Sequence, residues 1–597
     1  MGPTVTIALV CVVILCIAFI LVGIWFSKMA KTSEDFLLAG RGAPFWLLAT
    51  AYLGGYVGGA SVSGYVGNAY GSGISQLWAS LWVVVGVFFF VILFVRRLNY
   101  FGRKTGAITI SDFLCARYGE KMRVPSAVVA VLRPAILTGM QFLAIATAMT
   151  VVFGTSTAFG VVSSSLIILL YLVTAGQFSA LITQWFQAIL QSVGIVLFAI
   201  VAFKMLGDPT TVTNAFFEYL PANITDMFAM DMSTFTTYFM TLGLFYLIDP
   251  WGFMYAYMGK SPKATSNCMM SVLCGNYYNV LPFLSGICIL LGVTMGKWIV
   301  PEGLSSDGLY VWFTLNSTNV FVGTIILVGL LMTIISCGSA FAMNGVTIIT
   351  KDIYKGIINK KATDAQVLRA SRISVVVVVV IGIASALWLP ILVPLWVLAQ
   401  AIVLSGLFMP TMCAWFWKRA TTEGAVATTI IGAGAAIAWA MYAWITTGSP
   451  GTIMHGFHAV HIGTFVSIPV MIIVSLCTKA DPEMAKNTNW KLLGEEMKTS
   501  DLIPESEKCL KKGIFGWLGA DTTGWKVFWV VMAILFVAHF VLSIGFNSSN
   551  LAVALAWISL GVGVLMLIVL AVNGGRDLKG MIKDHKAALA AREAEEK

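Results

Sequence analysis

The sequence predicts an all-α polytopic membrane protein with about 15 transmembrane helices. Only 11% of its 597 residues are charged and 58% are hydrophobic, whereas roughly 25% of the residues in a soluble domain are charged. Many apolar segments approach or exceed the ~20 residues with which an α-helix crosses the hydrocarbon core. Lysine and arginine concentrate in alternate loops, which is the charge pattern of a polytopic membrane protein.

Fifteen apolar segments are candidates for these helices. The first, 4–27, lacks the basic region and the cleavage site of a signal peptide, so we interpret it as a helix of the mature protein. The others follow in order at 45–71, 75–95, 126–153, 157–176, 178–206, 234–259, 266–296, 319–350, 370–389, 393–417, 424–447, 460–477, 526–546 and 549–573.

The net charge of +10 is a topology signal and not the mark of a nucleic-acid partner. Basic residues such as Arg96 and Lys351 follow the third and ninth helices, and the tail 576–597 is also basic. The loops on the opposite side carry mainly acidic residues, among them Asp208 and Glu302. The positive-inside rule therefore predicts a protein integral to the plasma (inner) membrane, with its N-terminus outside and its C-terminus in the cytoplasm.

Two segments contain residues that interrupt a membrane helix. Between Thr50 and Gly73 the chain runs TAYLGGYVGGASVSGYVGNAYGSG, and Ile248–Gly252 (IDPWG) lies in the middle of 234–259. Proline removes a helix hydrogen bond and glycine weakens the helix around it. Broken helices at membrane depth line cavities, and in transporters they hold solute and ions. Close packing through small residues and a simple proline kink are the alternative interpretations.

Cysteine and histidine give no sign of metal or redox chemistry. The ten cysteines include no C-x-x-C pair and none lies in a predicted outside loop, so we expect neither disulfides nor a transition-metal site. The spacing of His455, His458 and His461 does not put all three on one helix face. No G-x-x-x-x-G-K-[ST] phrase is present, so ATP-driven transport lacks support. We expect a protein that is not an enzyme and has no cofactor.

Four phrases resemble those of the sodium/solute symporter family, and their order and spacing agree with it from about residue 35 to 420. They are DFLLAGRG at Asp35–Gly42, TISDFLCARYG at Thr109–Gly119, GQFSA at Gly176–Ala180 with Thr183 and Gln187, and SCGS at Ser336–Ser339 followed by TKDIYK at Thr350–Lys355. The resemblance is carried by these four phrases together, and the last four predicted helices contribute nothing to it.

The resemblance implies the leucine-transporter fold, a ten-helix core made of two inverted repeats of five helices. The repeats would be 45–206 and 207–417, and the first helix of each would be broken near the midplane. Residues 1–44 would add a helix and a cytoplasmic loop. Residues 418–597 would add further membrane helices, the cytoplasmic loop 478–525 and a charged tail.

The resemblance also implies a sodium ion between the first and eighth core helices. Its ligands would be the carbonyls of Gly54, Val57 and Thr333 and the side chains of Ser336 and Cys337. Sodium prefers oxygen, as other hard cations do, so the thiol of Cys337 would be a poor ligand. Gln184 stands where the family usually has an aspartate. Sodium is the leading hypothesis for the coupling ion, with proton coupling and uncoupled exchange as alternatives. A hydroxyl of Ser336 bonded within its own helix is the structural alternative.

Ionisable residues deep in the membrane are candidates for a solute site. Arg133 lies ~10 Å into its predicted helix, and Asp249 lies at the second break. Arg133 snorkelling to the interface, Asp249 capping a helix, or a pair between the two are the alternatives. If both face the cavity, they suit a small zwitterion or an anion with a cation. The other candidates are small, amide and aromatic residues near the breaks, namely Tyr56, Gly58, Ser61, Gln76, Gln141, Trp251 and Tyr255.

These observations predict a cation-coupled symporter, with sodium as the preferred ion, that imports a small organic solute by alternating access. An amino-acid-like or carboxylate solute is favoured by Arg133 and Asp249, although the family's scaffold carries many solute classes. The alternative is a ligand sensor with a transporter fold. Such a sensor would signal through a cytoplasmic partner at 478–525 or at the C-terminal tail.

Overall fold

Every secondary-structure element in the described part of the chain is a helix. The computed structural model describes residues 2–27, 38, 41, 43–174, 177–503, 513–518, 520 and 522–595. Within these ranges, β-pairing is limited to two isolated bridges, Ala43 with Gly259 and Met454 with Phe457. Twelve of the described helices are long and apolar enough to cross a membrane. The all-α membrane class predicted from composition is confirmed.

Each predicted span has a helical counterpart, and three spans are divided into two helices. In chain order the membrane helices and half-helices are α1 (Pro3–Ser27), α2 (Phe45–Tyr56), α3 (Tyr65–Ser72), α4 (Ile74–Thr105), α5 (Arg123–Phe153), α6 (Thr157–Thr174), α7 (Gln177–Leu206), α8 (Met232–Tyr238), α9 (Pro250–Met258), α10 (Pro262–Gly275), α11 (Tyr277–Thr294), α12 (Val320–Ile348), α13 (Asp364–Trp388), α14 (Leu392–Phe416), α15 (Thr422–Thr447), α16 (Ala459–Cys477), α17 (Thr523–Ile544) and α18 (Ser549–Glu595). Shorter helices lie between them at Ile110–Tyr118, Pro209–Tyr219, Leu309–Ser317 and Trp490–Thr499.

Both predicted helix breaks are present. The half-helix α2 ends at Tyr56, and Val57 has an extended backbone with φ −95° and ψ 112°. A wide helical turn over Ala60–Gly64 then leads into α3. In the second break, helical turns continue from α8 to Ile248, and Asp249 separates them from α9. A glycine-rich stretch and an Asp-Pro pair thus interrupt two helices that composition alone would leave continuous.

A third break was not predicted. The apolar pattern predicts one helix over 266–296, whereas the structure divides it at Asn276 into α10 and α11. Gly275 and Asn276 are adjacent residues of low helix propensity. The side chain of Asn276 is also engaged by neighbouring helices, as described below. These contacts are made in three dimensions, so the sequence pattern alone does not reveal the break.

The two halves of the chain pack against each other around α12. This helix contacts both α5 and α7, while α14 contacts α5 and α2 contacts α7. The helices outside this core lie around it: α1 against α12, and α15 and α16 against α14. The last two helices pack against other parts of the core: α17 contacts α10, and α18 contacts α2, α7 and α11.

Two of the family phrases meet in one ionic cluster. Thr109 and Asp112 form a capping box at the start of Ile110–Tyr118. Asp112 pairs with Arg123 at 3.0 Å, and Arg123 lies 3.2 Å from the buried Asp352. Thr109 Oγ1 also donates to Asp352 Oδ1 at 3.0 Å. The T-x-x-D phrase and the T-K-D phrase are therefore two sides of one contact on the predicted cytoplasmic side.

Parts of the other two phrases lie outside the described residues. Of Asp35–Gly42, only Leu38 and Arg41 are described, and Gly176 is not. Residues 504–512 of the predicted cytoplasmic loop also lie outside the described residues.

Candidate functional site

The end of α2 provides backbone carbonyls at the first break. The last four carbonyls of an α-helix have no partner within the helix. With α2 ending at Tyr56, these are the carbonyls of Leu53, which accepts from the Val57 N–H at 3.1 Å, and of Gly54, Gly55 and Tyr56. Gly54 is one of the carbonyls predicted to bind a cation, and Val57, another, follows directly after the helix end.

Ser336 lies directly against this helix end. A Cβ atom on Gly54 would be only 2.8 Å from Ser336 Oγ, so glycine is what lets α2 and α12 approach. Ser336 is fully buried, and its hydroxyl has no hydrogen-bond partner among the described residues. The alternative in which this serine bonds within its own helix is not what the structure contains. Thr333 differs, because its hydroxyl donates to the Gly329 carbonyl at 2.8 Å.

Cys337 contacts both sides of the first break. Its thiol donates to the Gly55 carbonyl at 3.2 Å. A Cβ atom on Gly58 would lie 2.5 Å from Cys337 Sγ, so a side chain at that position would displace the sulfur. Gly54, Ser336 and Cys337 therefore belong to the contact between the end of α2 and the middle of α12. Val57 follows the last residue of α2, and Thr333 lies one turn before Ser336 on α12. This arrangement can supply several oxygens to one cation, with sulfur at one corner.

Arg133 and Asp249 form a buried ion pair at the second break. Arg133 Nη1 lies 2.8 Å from Asp249 Oδ1, and the two side chains are 2% and 1% exposed. The Arg133 guanidinium also lies 5.0 Å from the ring centroids of Phe245 and Phe341. Arg133 therefore does not snorkel to the interface. Removing either charge would leave the other one buried and uncompensated, which is costly.

Asp249 has a second role as a helix cap. Its Oδ1 accepts a hydrogen bond from the Trp251 backbone N–H at 3.0 Å, at the start of α9. Capping and pairing, which the sequence left as alternatives, thus occur together on one oxygen. The other oxygen, Oδ2, is buried and has no hydrogen-bond partner within the described ranges. A carboxylate oxygen with free acceptor capacity can receive a donor such as an ammonium group.

A small cavity lies between the two breaks. Its volume of about 20 Å³ holds little more than one water molecule. Its walls come from both breaks and from α5, α12 and α14. The lining residues are Tyr56, Gly58, Ala60, Ser61, Arg133, Leu137, Met140, Tyr246, Trp251, Cys337, Phe341 and Trp396. The cavity is mostly apolar and aromatic with one cation, which is the usual composition of a small-molecule pocket.

The structure brings some of the predicted solute residues together and leaves others apart. Tyr56, Gly58, Ser61, Arg133 and Trp251 line the cavity, and Asp249 lies behind Arg133.

The remaining three candidates have other contacts. Gln141 Oε1 accepts from the Gly59 N–H at 3.0 Å and so stabilises the first break. Gln76 accepts from the hydroxyl of Tyr238 at 2.8 Å, away from the cavity lining. Tyr255 lies with its hydroxyl 3.4 Å from Gln184 Oε1.

Stacked aromatic rings connect the two breaks. Tyr52 on α2 stacks on Trp251 on α9, with ring centroids 4.5 Å apart and an interplanar angle of 9°. Tyr52 also lies edge-on to Tyr255 at 5.3 Å. Tyr52 is not among the predicted residues, although it lies one helical turn before Tyr56 and therefore on the same face of α2. Phe341 and Trp396 are also absent from the prediction, because the sequence offers no local signal for them.

Comparisons with known proteins agree with this geometry. The model of the sodium:solute symporter family matches residues 36–432. The osmoregulated proline transporter OpuE of Bacillus subtilis (strain 168) is 24% identical over 474 residues, covering 78% of this chain and 93% of that protein. A sodium/proline symporter of Staphylococcus aureus (strain bovine RF122 / ET3-1) is 25% identical over 473 residues, covering 77% of this chain and 90% of that protein.

A solved structure shares the fold. It is the substrate-bound outward-open state of a Na⁺-coupled sialic acid symporter, with a TM-score of 0.66 at 18% sequence identity. The match covers 79% of this chain and 98% of that chain. The leucine-transporter-type core expected from the sequence phrases is therefore confirmed.

Proposed function

The chain belongs to the sodium:solute symporter family, and on that premise we propose that it couples the import of a proline-like zwitterionic solute to the entry of sodium. The proposal includes the topology predicted by the loop charges, with the N-terminus outside and the C-terminus in the cytoplasm. The relatives named as proline transporters support an amino-acid solute.

The Arg133–Asp249 pair is the observation that carries the choice of solute class. A zwitterion presents one carboxylate and one ammonium group a few ångströms apart. Arg133 lines the cavity and offers a charged fork that matches a carboxylate. Asp249 lies behind Arg133, so its unpartnered Oδ2 would receive the ammonium group once the guanidinium turns toward the solute carboxylate. Each charge of the solute would then replace part of the interaction that the two residues make with each other, so no buried charge is left alone.

The environment of Ser336 supports sodium as the coupling ion. A buried hydroxyl with no partner among the described residues lies beside the end of α2, where a helix leaves its last carbonyls without partners of its own. Oxygen atoms from carbonyls and hydroxyls are the ligands that hard cations prefer. The Cys337 thiol would weaken such a site without blocking it, because water or another carbonyl can take its place.

Coupling between the two sites follows from their shared elements. Tyr56, Gly58 and Cys337 belong to the first break or its contact and also line the cavity. A cation that orders the end of α2 therefore favours the solute-ready arrangement of the same residues. By thermodynamic linkage, the solute must raise cation affinity by the factor by which the cation raises solute affinity.

Uptake into proteoliposomes tests the proposal. Purified full-length protein is supplied with tritiated L-proline under an imposed sodium gradient, a proton gradient or neither, and other amino acids, organic acids, sugars and nucleosides serve as competitors. We expect accumulation above equilibrium with sodium only, and competition by other zwitterions. Accumulation driven by protons alone would contradict the choice of ion. Sodium-driven uptake of a sugar or nucleoside, but not of proline, would contradict the solute class. Binding without flux would favour the sensor.

A further inference from the structure

Two consecutive hydrogen bonds connect α17 with the cavity. Tyr56 Oη donates to Asn276 Oδ1 at 3.2 Å, and Asn276 Nδ2 lies 3.1 Å from His539 Nε2. Asn276 and His539 are 0% and 2% exposed. His539 belongs to α17, which lies beyond the residues 36–432 that match the family model. A helix outside the matched region thus reaches a cavity residue through a single amide.

Asn276 uses all of its hydrogen-bonding positions. Its Oδ1 accepts from Tyr56 and from Asn279 Nδ2 at 2.9 Å, and its Nδ2 donates to Ser80 Oγ at 2.8 Å and to His539. A side-chain amide offers two donor and two acceptor positions. The orientation of this amide is therefore determined by four partners on four helices, and it lies at the break between α10 and α11.

The proton position on His539 is coupled to the direction of the Tyr56 hydroxyl. Since Asn276 donates to His539 Nε2, the neutral ring carries its proton on Nδ1. If Nε2 carried the proton, the ring would donate to the amide and the Asn276 amide would turn over. The Asn279 amide, whose Nδ2 now donates to Asn276 Oδ1, would turn over with it and present its otherwise unpartnered Oδ1. The Tyr56 hydroxyl would then accept instead of donate. Whether His539 Nε2 accepts or donates thus determines whether the Tyr56 hydroxyl donates or accepts.

The surroundings of His539 hold it in place. Trp529 on the same helix donates through Nε1 to Asn267 Oδ1 at 2.9 Å. Phe536 stacks on Phe88 of α4 with ring centroids 4.2 Å apart. His539 Nδ1 is buried without a hydrogen-bond partner in the part of the chain that the structure describes. Among the described residues, Asn276 is therefore the hydrogen-bond partner of the His539 ring.

We propose that His539 is a positioning residue for solute binding: it fixes the Asn276 amide, which directs the Tyr56 hydroxyl proton away from the solute. The hydroxyl oxygen then keeps its lone pairs for a hydrogen bond from an N–H group. This inference rests on the proposed function, because a solute with a protonated amine is the kind that needs an acceptor on the cavity wall. His539 acts through Asn276 and Tyr56 and has no contact with the solute itself.

Transport kinetics in proteoliposomes provide the first test, with tritiated L-proline as the probe. His539→Leu removes the acceptor, and we expect an apparent KM about three- to tenfold higher with little change in kcat. His539→Gln places an amide near the position of Nε2 and is expected to restore most of the affinity. In the Tyr56→Phe background, His539→Leu is expected to add no further change in KM.

Two kinetic results would overturn the proposal. One is an equal loss of affinity in His539→Leu and His539→Gln, which would assign the residue a packing role. The other is an additive effect of His539→Leu and Tyr56→Phe, which would show that the two residues act independently. Thermal unfolding of each variant, followed in detergent, separates lost affinity from lost folding.

A measurement without solute keeps this inference distinct from the proposed function. Protein labelled with ¹⁵N-histidine is placed in lipid nanodiscs, and the His539 signals are assigned by their absence in His539→Gln. We expect a protonated Nδ1 and an unprotonated Nε2 in the wild type, and a mixture of tautomers in Tyr56→Phe. An unchanged His539 spectrum in Tyr56→Phe would overturn the coupling. Wild-type protein that fails to take up proline would contradict only the proposed solute.

Discussion

Ser336 is the residue on which the proposed sodium site depends most directly. Ser336→Ala removes a buried oxygen beside the end of α2, and we expect the sodium concentration for half-maximal uptake to rise at least about tenfold. Ser339→Ala is the matched control, since the Ser339 hydroxyl already donates to the Ser336 carbonyl at 2.8 Å. Sodium dependence that is identical in wild type and Ser336→Ala would mean that the site lies elsewhere.

Cys337 is predicted to limit sodium affinity. Replacing its thiol with the hydroxyl of serine substitutes a hard ligand for a soft one at the same contact with Gly55. We therefore expect Cys337→Ser to lower the half-saturating sodium concentration in the uptake assay. Cys288→Ser, at a buried cysteine of α11 that does not line the cavity, is the control. A higher sodium requirement in Cys337→Ser would place the sulfur outside the coordination sphere.

The Arg133–Asp249 pair allows its structural and functional roles to be separated. Arg133→Gln or Asp249→Asn alone leaves one buried charge unpaired, at an expected cost of about 3–5 kcal/mol in the free energy of unfolding. The double variant contains no unpaired charge, so its thermal stability is expected to recover while uptake stays lost. Calorimetry in detergent and proteoliposome uptake measure the two quantities. Wild-type uptake by the double variant would show that the pair serves stability alone.

At the scale of single residues, the sequence identifies candidate functional residues but not the contacts between them. Arg133 and Asp249 stand out because charged side chains are rare at membrane depth and are usually functional there. Their pairing does not follow from the sequence, since 116 positions of separation carry no information about distance. Phe341 and Trp396 look like any other aromatic residue of a membrane helix, so only the fold reveals that they line the cavity.

At the scale of elements, α18 supplies a cap that α2 lacks. Pro44 precedes α2 and makes no side-chain cap, whereas Asp577 on α18 accepts from the Trp46 N–H at 2.7 Å. Asp577→Ala removes a cap with an expected value of about 1 kcal/mol. We expect faster hydrogen–deuterium exchange in peptides from 45–56, measured by mass spectrometry. The exposed Lys579→Ala is the control, and unchanged exchange in Asp577→Ala would contradict the role of the cap.

A second element, the short helix Leu309–Ser317, is preceded by a buried acid. Burial raises the pKa of Asp307 to about 6, although its Oδ2 accepts from the Leu392 N–H at 3.1 Å at the start of α14. An unfolded aspartate has a pKa of about 3.9. The stability that Asp307 contributes is therefore fully present below about pH 4, and it is lost as the pH rises through the pKa of Asp307 in the folded protein.

Asp307→Asn keeps an acceptor but does not ionise, so it isolates this contribution. We expect the wild type to lose stability relative to Asp307→Asn between about pH 4 and pH 6, by up to a few kcal/mol. Melting temperatures of both proteins across that range, measured in detergent, provide the comparison. Parallel curves would mean that Asp307 has an ordinary pKa in the folded protein.

The breaks show which elements a sequence can predict. Proline and clustered glycine act through the backbone itself, so the interruptions at Gly54–Gly58 and at Asp249 follow from local chemistry. The interruption at Asn276 depends on partners from other helices, and the sequence treated that segment as one helix.

At the scale of the whole molecule, composition is sufficient for the membrane class and the spans. The arrangement of the core follows from the resemblance carried by the four phrases. The positions of α17 and α18 follow from neither, because in a membrane an apolar helix surface is satisfied by lipid as well as by protein. Their contacts with α10 and α2 therefore depend on specific packing, of which Trp529, His539 and Asp577 are examples.

The stack of Tyr52 on Trp251 bears on how strictly the proposed symporter would couple the movement of sodium to that of its solute. The two rings belong to the half-helices of the proposed ion site and of the Asp249 cap. Moving one half-helix alone would separate the rings, at a cost of about 0.5–1.5 kcal/mol beyond the lost burial. A slip, in which sodium crosses without its solute, would carry this penalty if it moved only one half-helix, whereas a cycle in which both half-helices move together would avoid it. In the proposed symport, the contact would therefore favour a fixed stoichiometry over leak.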